Sequence, residues 1–215
     1  MIPVLIIPVL NRYDLLDKAL LSIDYPIQEI LIINNGRLRY ECELEHLNIR
    51  VLNMPSNQGI AGSWNLGIKC YPHKPWWLIS SADTTFIPGS LQKFDELSGP
   101  DKFVTSAGEY NCFSLGEEII RKVGLFDEYI YPAYYEDNDF NDRIILAGLQ
   151  DSIINANIPI YNNGGSQTIK SDPIFERRNN VTFVKNGEYY NKKVSSGDYT
   201  CRGWDLDRRR ENEWL

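Results

Sequence analysis

The hydrophobic pattern changes its period along the chain. Val4 to Val9 is an unbroken apolar run, the pattern of a parallel strand covered on both faces. From Asp14 to Ile23 the spacing turns helical. Leu15, Leu16, Ala19, Leu20 and Ile23 share one side, and Asn11 and Asp14 stand where capping residues belong. Glu29 to Ile33 predicts a second buried strand ending at Asn34-Asn35-Gly36, and Arg50 to Asn53 a short third one. Gly59 to Cys70 predicts a helix after the loop PSNQG, Trp76 to Ile79 a fourth strand, and Pro88 to Leu97 a further helix. This β-α-β-α-β order predicts a parallel sheet with right-handed crossovers.

The second half is less regular. Lys102 to Ser106 and Asn111 to Leu115 predict strands, and Glu117 to Val123 a helix. The aromatic and acidic stretch GLFDEYIYPAYYEDNDFNDRIILAG leads into a helix from about Asp139 to Ala147. Ile153 to Tyr161 predicts one strand, followed by Asn162-Asn163-Gly164-Gly165-Ser166. Beyond Lys170 the chain is polar, with a helical pattern over Asn179 to Lys193. The final DLDRRRENEWL is expected to be a solvated terminus or the start of a linker, as in a longer multidomain chain.

Composition narrows the classes. The 215 residues suit one large α/β domain or two small ones, and 43% hydrophobic with 24% charged residues is ordinary for a chain that buries a core. The net charge of -7 argues against non-specific binding to nucleic acid or membrane surfaces. It leaves room for an anionic ligand in a local pocket, where helix N-termini and a metal outweigh the global sign. The apolar N-terminus lacks the basic flank and small-residue cleavage site of a leader and is too short to span a bilayer, so no direct membrane insertion is expected. Four scattered cysteines, without a C-x-x-C pair and with only His46 and His73 as imidazoles, argue against zinc. Free thiols in a reducing, cytoplasmic compartment are expected.

Candidate chemistry gathers where strands end. Ligands in doubly wound sheets sit beyond the carboxyl ends of the strands. Three polar loops follow three predicted strands, at Asn11-Arg12, Asn34-Asn35-Gly36 and Ser80 to Thr85. Asp83 in the last loop suits a single ligand for Mg2+ or Mn2+ when a diphosphate supplies further oxygens, but taken alone it reads first as a cap for its own turn. Glu136, Asp137 and Asp139 crowd three carboxylates before a helix. Capping accounts for one or two of them, and the tyrosines and Pro132 before them read as the wall of a pocket in which a carboxylate acts as general base. In NQGIAGSWNLGI, Gly59 and Gly62 allow close backbone approach to a ligand or tight helix–sheet packing, but G-x-G-x-x-G is absent. The Gly-Gly-Ser of NNGGS offers backbone amides to phosphate oxygens, and Lys192 and Lys193 are candidate phosphate contacts. Trp64 and the tyrosines near Tyr134 offer flat apolar faces for a ligand or for the core.

The order of these segments carries more than any one of them. IPVLNRYDLLDKALLSI, IINNG, NQGIAGSWNLGI, SADTTFIPGSL, GLFDEYIYPAYYEDNDFNDRIILAG and YNNGGS follow one another as in the GT-A glycosyltransferases, and the series most resembles family 2. It covers roughly Ile2 to Ser166. The resemblance implies a Rossmann-like α/β domain with a mixed, mainly parallel sheet, which binds a nucleotide-diphosphate sugar with Mn2+ or Mg2+. It divides that single domain into a donor-binding half, 1–100, and an acceptor-binding and catalytic half, 101–215. It implies that Pro8, Leu10, Asn11 and Arg12 line the nucleoside pocket, that Asn35 with Asn34 beside it meets the uracil ring, and that Gly62, Ser63 and Asn65 flank the nucleotide. Ser81, Ala82 and Asp83 occupy the D-x-D-like motif. Asp83 is then the metal ligand, and Ser81 in place of the first acid implies weaker or more water-rich coordination. Asp137, preceded by Glu136, matches the usual base. Asn163 stands where many members carry a metal-binding histidine. The implied activity moves a hexose or deoxyhexose from a UDP-sugar to a glycan hydroxyl. A nucleotide-sugar binding domain with degraded catalysis and a sugar-1-phosphate nucleotidyltransferase remain as rivals, the latter without the glycine-rich N-terminal loop it usually carries. The polar, tyrosine-rich NGEYYNKKV also resembles glycosyltransferase domains encoded by large algal viruses.

Overall fold

The computed structural model describes residues 1–42, 44–162, 167–170 and 172–201. Its centre is a seven-stranded sheet built from β1 (Leu5–Val9), β2 (Ile30–Asn34), β3 (Ile49–Asn53), β4 (Trp76–Ser80), β6 (Phe103–Ser106), β7 (Glu109–Gly116) and β8 (Ile153–Ala156). The order is β3-β2-β1-β4-β7-β6-β8. β1 to β4 run parallel, β7 runs antiparallel to both β4 and β6, and β8 pairs parallel with β6. One reversed strand in an otherwise parallel sheet gives the expected mixed α/β class.

Both faces of the sheet are covered, as the unbroken apolar runs require. All five residues of β1 are buried and their side chains alternate. Leu5, Ile7 and Val9 join one core with Leu16 and Leu20 of α1 (Tyr13–Leu21) and Leu91 and Phe94 of α3 (Ser90–Leu97). Val4 and Ile6 join the opposite core with Ala61, Trp64 and Ile68 of α2 (Gly59–Cys70) and Phe140 and Ile144 of α5 (Glu136–Leu146). That second core is aromatic. Phe126, in the loop after α4 (Glu117–Val123), stacks on Phe140 at 4.2 Å between ring centroids, and Trp64 meets both Phe113 and Phe126 edge-on.

Several elements differ from the sequence expectation. Asn11 does not cap α1. Its backbone is left-handed, with φ of 59°, and its Oδ1 accepts from the Arg37 amide, so the helix begins behind Arg12. The apolar run from Ile153 to Tyr161 is two strands. The chain leaves the main sheet after β8 and forms β9 (Ile160–Asn162), which pairs antiparallel with β5 (Thr84–Phe86) in a separate two-stranded ribbon. β5, three residues behind a turn, escapes a periodicity reading. The C-terminal helix is longer than its pattern. α7 (Pro173–Ser196) follows the short α6 (Gln167–Lys170), with Asp172 capping it through the Ile174 amide and proline in its first turn. Asn163, the Gly-Gly-Ser segment and the terminal DLDRRRENEWL lie outside the described residues. All four cysteines are free thiols, and among the described residues no helix is long and apolar enough to cross a membrane.

Candidate active site

A cavity of about 740 Å3 opens at the carboxyl ends of β1 and β4. Its floor is Pro8, Val9 and Leu10, and the loop Ser81, Ala82 and Asp83 forms one side. Tyr131 to Tyr134 with Glu136 and Asp137 form the opposite wall, and Phe175, Arg178, Asn179 and Thr182 of α7 close it. Thus the D-x-D-like loop and the carboxylate pair, 53 positions apart in sequence at Asp83 and Glu136, share one cavity.

The aspartate loop is short because β4 turns at once into β5. The Ser81 hydroxyl donates to Asp83 Oδ1 at 2.6 Å and lies 2.9 Å from Thr84 Oγ1, which fixes the carboxylate at the strand end. The ladder places Thr84 opposite Asn162, whose buried Oδ1 has no hydrogen-bond partner among the described residues and lines the same cavity. A carboxylate, a hydroxyl and an amide oxygen are hard donors of the type Mg2+ and Mn2+ take, too few to complete a coordination shell and therefore suited to an ion that also binds a diphosphate and water. This donor set fits such an ion, and Asp83 and Asn162 are the side chains that could hold it.

The facing carboxylates are unequal. Glu136 is 7% exposed, and its Oε2 has no partner among the described residues. Burial, then the neighbouring charge of Asp137, pushes its pKa up to about 8. Asp137 is half-buried, accepts from the Asn138 amide at 2.9 Å and faces the cavity. Asp139, grouped with them by sequence, points away into the protein. It is fully buried between Arg143, 2.9 Å away, and Lys193, 2.5 Å away. Lys193 also grips Asp127 at 2.6 Å, so it is a buried structural cation and not a phosphate contact.

The other expected residues divide into two groups. Pro8, Leu10, Asn35, Ser81, Ala82 and Asp83 line the cavity, with Glu136 and Asp137. Asn34 does not. It is 1% exposed and ties Tyr13, Gly36, Leu38 and Asn53 together, which shapes the loop behind Asn35. Asn65 is equally engaged, since it bonds both backbone polar groups of Phe126 and the Glu128 carboxylate and pins the aromatic loop to α2. Ser63 bonds Asn35 and the Gly59 carbonyl. Gly62 is buried within α2, and neither it nor Asn11 nor Arg12 is among the residues that line the cavity. Arg12 forms a two-pronged pair with Asp14 and also feels the charge of Asp83.

The helix start at Gly59 is not open to a ligand. The Gln58 amide donates to Asn35 Oδ1, the Gly59 amide to Asn57 Oδ1 and the Ile60 amide to the Pro132 carbonyl. Gly59 instead permits tight packing. Its φ is +71°, and a Cβ there would sit 2.8 Å from the Tyr131 ring. Trp64 reaches the cavity but is 6% exposed and belongs mainly to the core.

Sequence reasoning missed Tyr110, Asn111, Asn162 and Asn179. Each lines the cavity and has a buried side-chain oxygen without a partner among the described residues, as has Glu136. Burial drives the Tyr110 hydroxyl well above the usual tyrosine range, so it stays a neutral donor. Asn162 belongs to the NNGGS segment, whose sequence points only to its backbone amides, and no local motif marks the other three, because β7 and α7 meet the cavity only in the folded chain. Buried polar atoms without partners are costly, and a cluster of them around one cavity marks a place for a polar ligand.

Comparison with solved structures identifies the architecture. S. aureus TarS superposes with a TM-score of 0.57 at 12% identity, over 80% of this chain and 38% of that one. Its 1-349 segment in complex with UDP gives 0.55 at 13% identity, over 80% and 63%. The Drosophila beta-1,4-galactosyltransferase 7 complexed with manganese, UDP-Gal and xylobiose gives 0.52 at 14%, over 76% and 71%. The fold is that of the GT-A glycosyltransferases. Among curated proteins, a Leishmania donovani "Galactofuranosyl glycosyltransferase" is 29% identical over 171 residues, which are 72% of this chain. The chain spans about a third (36%) of that relative's length. The profile of Glycosyl transferase family 2 matches residues 4–144, from the first strand into α5, and the chain belongs to that family.

Proposed function

We propose that this chain transfers a hexose or deoxyhexose from a UDP-sugar to a hydroxyl of a glycan, with Mn2+ or Mg2+ held at Asp83. The observation that carries this reading is the one cavity that the Asp83 loop shares with Glu136 and Asp137, lined by five buried oxygens that have no partner among the described residues. A polyhydroxyl ligand satisfies such oxygens, because each sugar hydroxyl donates as well as accepts. The flat faces of Tyr131, Tyr134 and Phe175 suit the apolar side of a sugar ring.

The chemistry follows from the two walls. A bound cation supplies positive charge where the diphosphate leaving group gains negative charge. Asp83 holds that end, with Ser81 fixing its rotamer. Asn35, Pro8 and Leu10 bound the nucleoside end, and Gln58 and Ser63 lock the Asn35 amide in place. On the far wall Glu136 keeps its proton to about pH 8 and serves as a donor. Asp137 takes the proton of the acceptor hydroxyl as its oxygen bonds to the anomeric carbon and the bond from that carbon to UDP breaks, with inversion of configuration. Of the proteins above, the Leishmania relative is named for galactofuranose, and the Drosophila neighbour holds UDP-Gal, manganese and xylobiose. UDP-activated galactose in both ring forms therefore heads the substrate panel.

Calorimetric titration of UDP tests the reading, with Mn2+ and again with chelator, on wild type and Asp83→Ala. Binding that needs the metal and falls at least tenfold in the variant is expected. No UDP binding under either condition refutes it. Product formation from donor and acceptor separates a transferase from a binding domain, and pyrophosphate release from UTP and a sugar phosphate would mark a nucleotidyltransferase.

A further inference from the structure

The family match ends at residue 144, and α7 lies beyond it. Yet α7 makes unusual contacts with the segment just before the carboxylate pair. Tyr134 and Tyr135 have φ of 73° and 78°, two consecutive left-handed residues that both carry side chains. Such a backbone is unfavourable for non-glycine residues and persists only where its surroundings over-determine it. The next residues are Glu136 and Asp137, so the exit angle of this turn sets where both carboxylates point.

The surroundings that hold the turn come from one face of α7. Asn186 is 6% exposed, and its Nδ2 donates to the Ala133 carbonyl at 2.9 Å and reaches the Tyr134 carbonyl at 3.4 Å. The Phe183 ring contacts Tyr134 and Tyr135, with centroids 5.5 and 5.2 Å away. Tyr190 lies 5.6 Å from Tyr135. Between them Gly187 leaves space that the Tyr135 hydroxyl fills, since a Cβ there would lie 2.9 Å from it. The Asn186 amide is the polar centre of this face, and it bonds the carbonyls on the inner side of the turn.

We propose that Asn186 is a positioning residue for the transferase site. By bonding the turn at Ala133–Tyr134 from α7, it keeps the two left-handed tyrosines in place and aims Glu136 and Asp137 into the cavity. The proposal rests on the transferase reading for its catalytic consequence, while its structural part stands separately. α7 is then part of the active site's support, although it lies outside the family match.

The test compares wild type with Asn186→Ala in the full chain. Amide hydrogen exchange over residues 131–140 reads the turn. UDP binding in Mn2+ reads the donor end, and UDP release from UDP-galactose in its pyranose and furanose forms reads turnover. In the variant, exchange in this segment is expected to rise at least tenfold with the rest of the chain unchanged. UDP affinity should stay within twofold, and kcat should fall about 10- to 100-fold, the scale of a small misplacement of reacting groups, with KM within threefold. Asn186→Ser, which keeps a hydroxyl donor, should recover part of kcat. It carries the same comparison if the alanine variant does not fold. Unchanged exchange over 131–140, or kcat within twofold of wild type, overturns the proposal. So does a parallel loss of UDP affinity and of protection throughout the chain, which is the mark of a merely structural residue. A wild type that neither binds UDP nor turns over these sugars overturns the transferase reading, and the exchange result still decides whether Asn186 holds the turn.

Discussion

Replacing Glu136 with glutamine isolates the cost of keeping a carboxyl group inside the cavity wall. Glutamine has the shape of the protonated acid but cannot ionise. In the folded chain the Glu136 pKa is raised to about 8, by burial first and by Asp137 second, from an ordinary value of 4.5. A raised acid pKa means that the folded state holds the proton more tightly than the unfolded one. The resulting stabilisation is complete below pH 4.5 and is lost as pH rises to 8. Each pKa unit is worth about 1.36 kcal/mol, so the whole window amounts to roughly 5 kcal/mol. Between pH 5.5 and 7.5 wild type should therefore lose roughly 2–3 kcal/mol relative to Glu136→Gln. That is a large share of the ~5–15 kcal/mol of a typical domain. Urea unfolding of both proteins at half-unit pH steps measures it, and the difference should move the midpoint by roughly 1 M or more. Parallel pH profiles for the two proteins would refute the assignment, because Glu136 would then ionise as freely in the fold as in the unfolded chain.

The remaining predictions concern neighbouring groups. Asp137→Asn should cut sugar transfer about 10²–10⁴-fold with UDP affinity within twofold, and near-normal transfer in a steady-state assay would remove Asp137 from the role of base. Asp83→Ala should abolish the difference in UDP affinity between Mn2+ and chelator, and a retained metal effect in calorimetry would assign the ion to other ligands. Lys193→Met leaves the fully buried Asp127 and Asp139 without their shared cation, and should cost about 3–5 kcal/mol in urea unfolding. A loss below about 1 kcal/mol would show that Arg143 and the surrounding tyrosines suffice.

The parallel half of the fold was legible because a strand buried on both faces leaves a continuous apolar run, as Leu5 to Val9 and Trp76 to Ile79 do. The ribbon of β5 and β9 was not. Three-residue strands carry no period, and the apolar run from Ile153 to Tyr161 conceals the point where the chain changes sheets. Within the site, Asp83 and the Glu136–Asp137 pair could be found because they are acids at element ends. Their unequal roles could not, since burial separates Glu136 from Asp137 and pairing separates Asp139 from both. Asn35 and Asn65 looked alike in sequence, and their partners distinguish them. One lines the cavity, and the other is spent on the Phe126 backbone. Gly59 was legible as a place of close approach, but what approaches is Tyr131.

The reversed strand β7 has a consequence for how the molecule is made. β4 pairs with β1 on one side and with β7 on the other, from Trp76 against Gly116 to Ser80 against Cys112. When the ribosome has delivered β1 to β4, the cavity floor and the Asp83 loop already exist as sequence, but β4 is an edge strand that shows Trp77, Leu78 and Ile79 beside unpaired amides. Such an edge is a template for pairing with other chains. About thirty residues more must emerge before β7 covers it, and β5, α3 and β6 lie in that interval. A nascent chain halted between Leu97 and Glu109 is therefore the form of this protein most exposed to aggregation, and a cut at that point would yield two insoluble pieces, not two half-enzymes.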